Sequence, residues 1–423
     1  RSPAWLLLRN NLFFMIDPLL IRKDFPQLSD AEYHYLDSAA TSLTPQAVLD
    51  AEIEYYTDYR ANVHRGVFAE AARATELYEE TRKKVAHFIG AKPEEIIFTS
   101  GATESSNMLV RMLEESLHVT RMRKNIVTTV MEHHAALLPL QQFALRRDLP
   151  LLSIPLARGA DGDLVGLDYA QGEELITTDT AIVSTVLVSN VTGEWNDVTR
   201  IVRKAKECGA LTIVDATAAA GHIPLNVTTL GCDALYFSGH KMFAPTGVGV
   251  LWVKDTLLAQ LTPASFGGHM VARIEEGKPE WAEIPSRFEA GTKNISGVLG
   301  LGAAIDYLEL VGVGEVHEYI QTLVADATAR LRAIDGVTVV SERDSQKNAG
   351  IVAFTCAWAH PHDVAEVLAR DRVAVRPGHH CAIPLHGALG IESSIRASFH
   401  CYNTTADIDA LIAALLKCKT LFS

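Results

Sequence analysis

Cysteine is sparse in this chain. Six occur in 423 residues, at 208, 232, 356, 381, 401 and 418, and no two are spaced as Cys-x-x-Cys. That excludes a disulfide-framed small fold and fits reduced thiols in a cytoplasmic setting. Basic runs are missing too. The chain has 38 Lys and Arg against 51 Asp and Glu, a formal net charge of −13, so the clustered cations that a nucleic-acid backbone needs are not there. Zinc spacing and a helix-turn-helix pattern are absent, and no metal site is expected. Long apolar runs are absent as well. Trp5–Leu8 is interrupted by Arg9 and Asn10-Asn11, too short for a membrane span and without a signal peptide's organisation. Met15 offers a start, so residues 1–14 are read as an extension or a gene-start artefact. No internal repeat or low-complexity segment is visible.

What is present is a large stock of core-forming residues, 48% of the chain, and a length that suggests two to three domains. Short apolar runs recur at Glu95–Thr99, Ile126–Val130, Ala181–Val188, Leu211–Val214, Ala234–Phe237 and Val248–Val253. Amphipathic stretches lie between them. Tyr78, Thr81, Val85, Phe88 and Ile89 share one helical face, and Gly90 closes that helix. Alternation of this kind predicts an α/β domain with a largely parallel sheet, in which ligands gather at the carboxyl ends of strands. After Gly302 the pattern becomes α+β: helices over Gly302–Leu310, Val316–Ala333 and Ala406–Leu416, with strand candidates Val337–Val340, Gly350–Phe354, Val373–Val375 and Ser394–Phe399. The expected division is a large domain over 38–301 and a smaller one over 302–423.

Several polar motifs directly follow strand candidates. Ser238-Gly-His-Lys241 sets a lysine on a tight turn beside two donors, Ser238 and His240. Upstream, Ile213-Val214-Asp215 ends a strand in a carboxylate. A pyridoxal-phosphate (PLP) enzyme needs this pair: a lysine to hold the aldehyde and an acid facing the pyridine nitrogen. Thr99-Ser-Gly-Ala-Thr103 leads a strand into a helix, and free N–H groups at a helix start favour phosphate. Thr103, Ser238 and His240 are therefore the candidate phosphate ligands, the alternative being that Thr103 only caps its helix. Cys381 lies in Gly378-His-His-Cys-Ala with Arg376 close by, where cations favour the nucleophilic thiolate. Cys232 and Cys356 sit in or beside apolar strands and read as buried hydrophobes, and Cys208 as core on a helix face.

The run Ser238-Gly-His-Lys-Met-Phe-Ala-Pro-Thr-Gly-Val-Gly249 resembles the lysine segment of class V, fold-type I PLP enzymes. With Arg376-Pro-Gly-His-His-Cys-Ala382, the chain is similar to the group II (SUF-type) cysteine desulfurases and the related selenocysteine lyases from about Asp24 onward. The resemblance implies the fold-type I architecture, with a mainly parallel seven-stranded sheet, residues 15–37 packed on the small domain, and a homodimer. It implies PLP held by Lys241, with Asp215 at the ring nitrogen and His133 stacked on the ring face. Asn190 would lie near the phenolic oxygen and the substrate, and Thr292 would reach the phosphate across the dimer interface. Arg376 and Arg396 would bind the substrate carboxylate, Arg396 through a bidentate fork. Outside the resemblance, a histidine pair after a strand also suits a helix cap, and an asparagine there also suits a turn.

The implied reaction takes sulfur from L-cysteine, or selenium from L-selenocysteine, with Lys241 as the base at Cα. With L-cysteine, Cys381 would become a persulfide passed to an acceptor protein, for iron–sulfur assembly or other sulfur metabolism. Two departures stand out. Asp215-Ala-Thr-Ala218 lacks the family's glutamine at Ala218, and Lys293 replaces a proline beside Thr292. The rival readings are a class V enzyme with another substrate and a PLP-binding sulfur-relay or scaffold protein with negligible turnover.

Overall fold

The computed structural model describes residues 16–116, 123–159, 164–341 and 344–422; the proposed 1–14 extension lies outside them. The apolar runs form a seven-stranded sheet from β1 (Ile96–Thr99), β2 (Asn125–Thr129), β3 (Leu151–Ile154), β4 (Thr180–Val186), β5 (Leu211–Asp215), β6 (Ala234–Ser238) and β7 (Gly249–Val253). Their order is β1-β7-β6-β5-β4-β2-β3. All contacts are parallel except those of β7, which runs antiparallel to both β1 and β6. Every residue of β4 is buried, as expected for a strand covered on both faces. β3 lies outside the expected strands: Leu151-Leu-Ser-Ile154 sits at the sheet's edge, half-buried at its start and bracketed by Pro150 and Pro155.

The predicted helix around Tyr78 spans Ala69–Ile89, and Gly90 ends it at φ +68°, where only glycine is unstrained. The helices expected after Gly302 are Ile295–Val311 and Val313–Arg332, bent by 72° at Gly312. Among the described residues no single helix is long and apolar enough to cross a membrane.

The C-terminal strands form an antiparallel sheet in the order β8-β9-β11-β10, from β8 (Val337–Val339), β9 (Ile351–Cys356), β10 (Arg376–Gly378) and β11 (Ser394–Ser398). The run Val373–Val375 contributes differently from its reading as one strand. Val373–Ala374 pairs with His34–Tyr35, and the chain joins the four-stranded sheet only from Arg376. Asp37 then bridges to Ser398. The N-terminal segment is thus stitched by backbone to the strands that carry Arg376 and Arg396.

Candidate active site

β1, β2, β4, β5 and β6 all deliver their carboxyl ends to one edge of the sheet, and antiparallel β7 begins there. Gly249 pairs with both Thr99 and Ser238. A side chain at Gly249 would meet the Gly101 backbone at 2.4 Å, so glycine is what lets the turn after β1 close over β7. The result is a cavity of about 390 Å³ lined by Thr103, His133, Asn190, Asp215, Thr217, Ala218, Ser238, His240, Lys241, Arg376, His380, Cys381 and Arg396.

Ten of the eleven residues singled out in the sequence meet in this cavity. Thr292 does not. It lines a separate recess of about 280 Å³ with Asn62, His64, Arg65 and Lys293. Its segment is pinned by Glu289, whose carboxylate accepts from Arg82 at 2.8 and 3.0 Å and from the Phe98 N–H at 2.7 Å.

At one end of the cavity Ser238 Oγ accepts from the Ala102 N–H at 2.8 Å, which leaves its own O–H free to donate. Thr103 follows on the first turn of Ala102–Glu115, where backbone N–H groups lack helical partners. His240 is held through Nδ1, 3.2 Å from Thr41 Oγ1. Burial, then the Lys241 charge, pushes its pKa down to about 4. A dianion placed beside it would act in the opposite direction.

Lys241 is buried on the turn Gly239–Lys241. Burial and the Arg396 charge lower its pKa from 10.5 to about 8, against the pull of Asp215. Asp215 is fully enclosed, and burial raises its pKa although the Thr217 N–H donates to Oδ1 at 2.8 Å. A cation at the ring position would stabilise its ionised form. His133 serves as the cap of His134–Arg146, accepting from the Ala135 N–H through Nδ1 at 3.0 Å. The capping alternative and a place in the cavity therefore coexist. Its ring is neutral, its pKa lowered to about 4 by burial and then by Lys241.

Opposite lies Cys381, exposed, while Cys232, Cys356, Cys401 and Cys418 are buried and Cys208 is half-buried as the residue ending its helix. His380 and Cys381 both adopt left-handed backbone, at φ +51° and +56°, at a cost of about 1 kcal/mol or more each. Hydrogen bonds hold them there. The His380 carbonyl accepts from Asn190 Nδ2 at 2.6 Å, and the Cys381 carbonyl from the His134 N–H at 2.8 Å.

Arg396 is buried on β11 and donates through Nη1 to the Asn190 carbonyl at 2.7 Å. Its Nε has no hydrogen-bond partner among the described residues. Burial lowers its pKa to about 10, so it remains a cation near neutrality. Arg376 is committed elsewhere: Nε and Nη2 donate to Asp37 at 2.8–3.1 Å.

Sequence reasoning missed Asp37, and it placed Glu132 after a strand with His133 and His134 without giving it a role. Leu36-Asp37 is an apolar residue followed by an acid, the same signal that marked Asp215, but the run before it is too short to attract notice. Glu132 is easily passed over beside His133. It is buried, accepts from Thr129 Oγ1 at 2.7 Å and the Val186 N–H at 2.9 Å, and burial raises its pKa to about 8.

The model of the class-V aminotransferases matches residues 34–411. The chain belongs to the class-V aminotransferase family. A Streptomyces coelicolor protein named "Probable cysteine desulfurase" is 43% identical over 418 residues, covering 96% of this chain and 98% of the relative. A namesake from Halalkalibacterium halodurans is 43% identical over 408 residues, covering 95% and 98%. Among solved structures, the apo cysteine desulfurase of Thermococcus onnurineus superposes with a TM-score of 0.89 at 40% identity, covering 96% of this chain and 99% of that one. An Escherichia coli cysteine desulfurase gives 0.88 at 36% identity, covering 98% and 100%. The chain's membership and its fold class agree with the sequence reading.

Proposed function

We propose that this chain is a PLP-dependent cysteine desulfurase that converts L-cysteine to L-alanine and leaves the sulfur as a persulfide on Cys381. The observation that carries the reading is the juxtaposition, in one cavity, of a buried lysine biased toward its neutral form, a buried acid, a buried arginine whose Nε has no partner among the described residues and an exposed cysteine.

The residues fit the cofactor. Thr103, Ser238 and His240 offer donors for its phosphate, Asp215 a carboxylate for its ring nitrogen, and His133 a neutral ring for its face. Asn190 Oδ1 is a buried polar atom without a partner among the described residues, a burial cost that a polar ligand would remove. When bound, PLP supplies the electron sink that makes the substrate Cα proton removable. Lys241 would hold the aldehyde, and its Nζ, biased toward the neutral form, would serve as the base for the substrate Cα proton. Arg396 would donate to the substrate carboxylate through Nε, with Nη2 turning from its loose contact with Asp37 to complete a fork. Cys381 attacks as thiolate: its Sγ–S bond forms as the substrate C–S bond breaks. In sum, L-cysteine and one thiol give L-alanine and one persulfide.

Cys381 is reachable from outside, which suits delivery to an acceptor protein, with iron–sulfur assembly as one destination. A homodimer fits the placement of Thr292. Its recess shares no lining residue with the cavity of its own chain, and its wall at Asn62–Arg65 leads directly into Val67, 102% exposed, and Phe68, 54% exposed. A second copy would cover that loop and bring Thr292 to the partner's phosphate site.

The test is alanine release from L-cysteine with a reductant or acceptor present, beside persulfide mapping by mass spectrometry. Cys381→Ser should abolish sulfur transfer while the cofactor stays bound. Turnover of L-cysteine by that variant, or persulfide found mainly on Cys356 or Cys401, would overturn the assignment. Alanine release from L-selenocysteine that survives in Cys381→Ser, with none from L-cysteine in the parent protein, would favour the lyase.

A further inference from the structure

Two arginines and one carboxylate form a small charge cluster at the outer wall of the cavity. Asp37 Oδ2 accepts from Arg376 Nη2 at 2.8 Å, and both carboxylate oxygens lie 3.1 Å from Arg376 Nε. Arg396 Nη2 is farther, 3.5 Å from Asp37 Oδ1, and Arg396 Nε has no partner among the described residues. The pairing is unequal. Arg376 has its fork filled, although its side chain is half exposed, whereas the buried Arg396 touches the carboxylate only in passing. Two cations and one built-in anion leave a single positive charge to be compensated, and Arg396, whose Nε has no partner among the described residues and whose Nη2 is only loosely paired, is where it is available.

We propose that Asp37 is a specificity-determining residue: by occupying Arg376 it limits the site to ligands with one carboxylate, the α-amino monocarboxylates. This rests on the reading of Arg396 as the carboxylate fork. Arg376 stands five residues before Cys381, and both line the cavity. A ligand whose side chain ends in a second carboxylate would direct that group toward Cys381, where Arg376 is the nearest cation of the same segment. With Asp37 in place, the incoming anion finds Arg376 filled and meets a like charge. Without it, Arg376 is free to pair.

Asp37 is held independently of its carboxylate. Its carbonyl accepts from the Ala40 and Thr41 N–H groups, and its backbone bridges to Ser398. Removing the charge therefore leaves the local backbone bonds available.

The experiment compares binding of L-alanine and L-aspartate to the PLP-loaded protein through the change each causes in the cofactor's absorbance. The parent protein should prefer L-alanine. Asp37→Asn should shift the ratio toward L-aspartate by about tenfold, equivalent to about 1.4 kcal/mol, and Asp37→Glu should restore the parent preference. Adding Arg376→Gln to Asp37→Asn should remove the gain. Should Asp37→Asn not fold, Arg376→Gln alone decides: it leaves Asp37 to neutralise Arg396, so L-alanine binding should weaken by a similar factor. An unchanged ratio in Asp37→Asn, or unchanged L-alanine affinity in Arg376→Gln, overturns the proposal. A parent protein that binds L-alanine over L-aspartate but releases no alanine from L-cysteine would refute the desulfurase reading and leave this one standing.

Discussion

At the inner end of the cavity, Thr103, Ser238, His240 and Lys241 each stand on the strand or turn that delivers them, within a few residues of a sheet edge. At the outer wall, Asp37 meets Arg376 across 339 residues of chain, and Arg396 comes from a neighbouring strand of another sheet. The inner end inherits its geometry from a rigid parallel sheet, so each side chain needs only its own turn to be placed. The outer wall depends on strand pairing between His34–Tyr35 and Val373–Ala374 and between β10 and β11. On the proposed role of Asp37, charge balance, more than any single motif, would then decide what it binds. On the proposed function, the inner end would set which cofactor can be held, and the outer wall which ligand may join it.

The sharpest way to break this comparison is at Lys241. Lys241→Ala should abolish the borohydride-trapped cofactor, while loss of either arginine should not. If the trapped label maps to a different lysine in the parent protein, the inner end has been misassigned. A smaller effect tests its electrostatics. A neutral amine is needed to add to an aldehyde, so Lys241 should take up PLP poorly while it is an ammonium. Its pKa is lowered from 10.5 to about 8, so uptake by the cofactor-free protein should rise as pH increases through about 8 and then level off. A rise that continues to the range of an ordinary lysine would show that burial and Arg396 do not act on it as described.

The same contrast explains what is legible in the chain alone. The motifs after β1, β5 and β6 are contiguous, and the alternation of strands with helices is enough to place them at a common edge. Asp37 has no such signature. Its role depends on which residues face it, and spacing along the chain carries no information about a partner on β10. Nor does the motif Arg376-Pro-Gly reveal that its arginine is already paired. β3 and the strand Arg376–Gly378 also escape detection: Pro150 and Pro155 bracket the first and Pro377 lies inside the second, and a proline argues against a strand.

The smallest expected effect concerns Ala218, where the family pattern has a glutamine that reaches the cofactor's phenolic oxygen. Ala218 lines the cavity and is buried, and Asn190 Oδ1 lacks a partner among the described residues. An amide N–H aimed at an anionic oxygen stabilises the state in which that oxygen carries the charge alone. Ala218→Gln should therefore lower the pKa of the cofactor's visible absorbance. One hydrogen bond contributes roughly 0.5–1.5 kcal/mol, which limits the shift to about one pH unit or less. Spectrophotometric titrations of parent and variant, each with cofactor bound, provide the measurement. Coincident curves would mean that another group, with the Thr217 hydroxyl the nearest candidate in sequence, already fills the position. The loss of the glutamine would then have no electronic consequence.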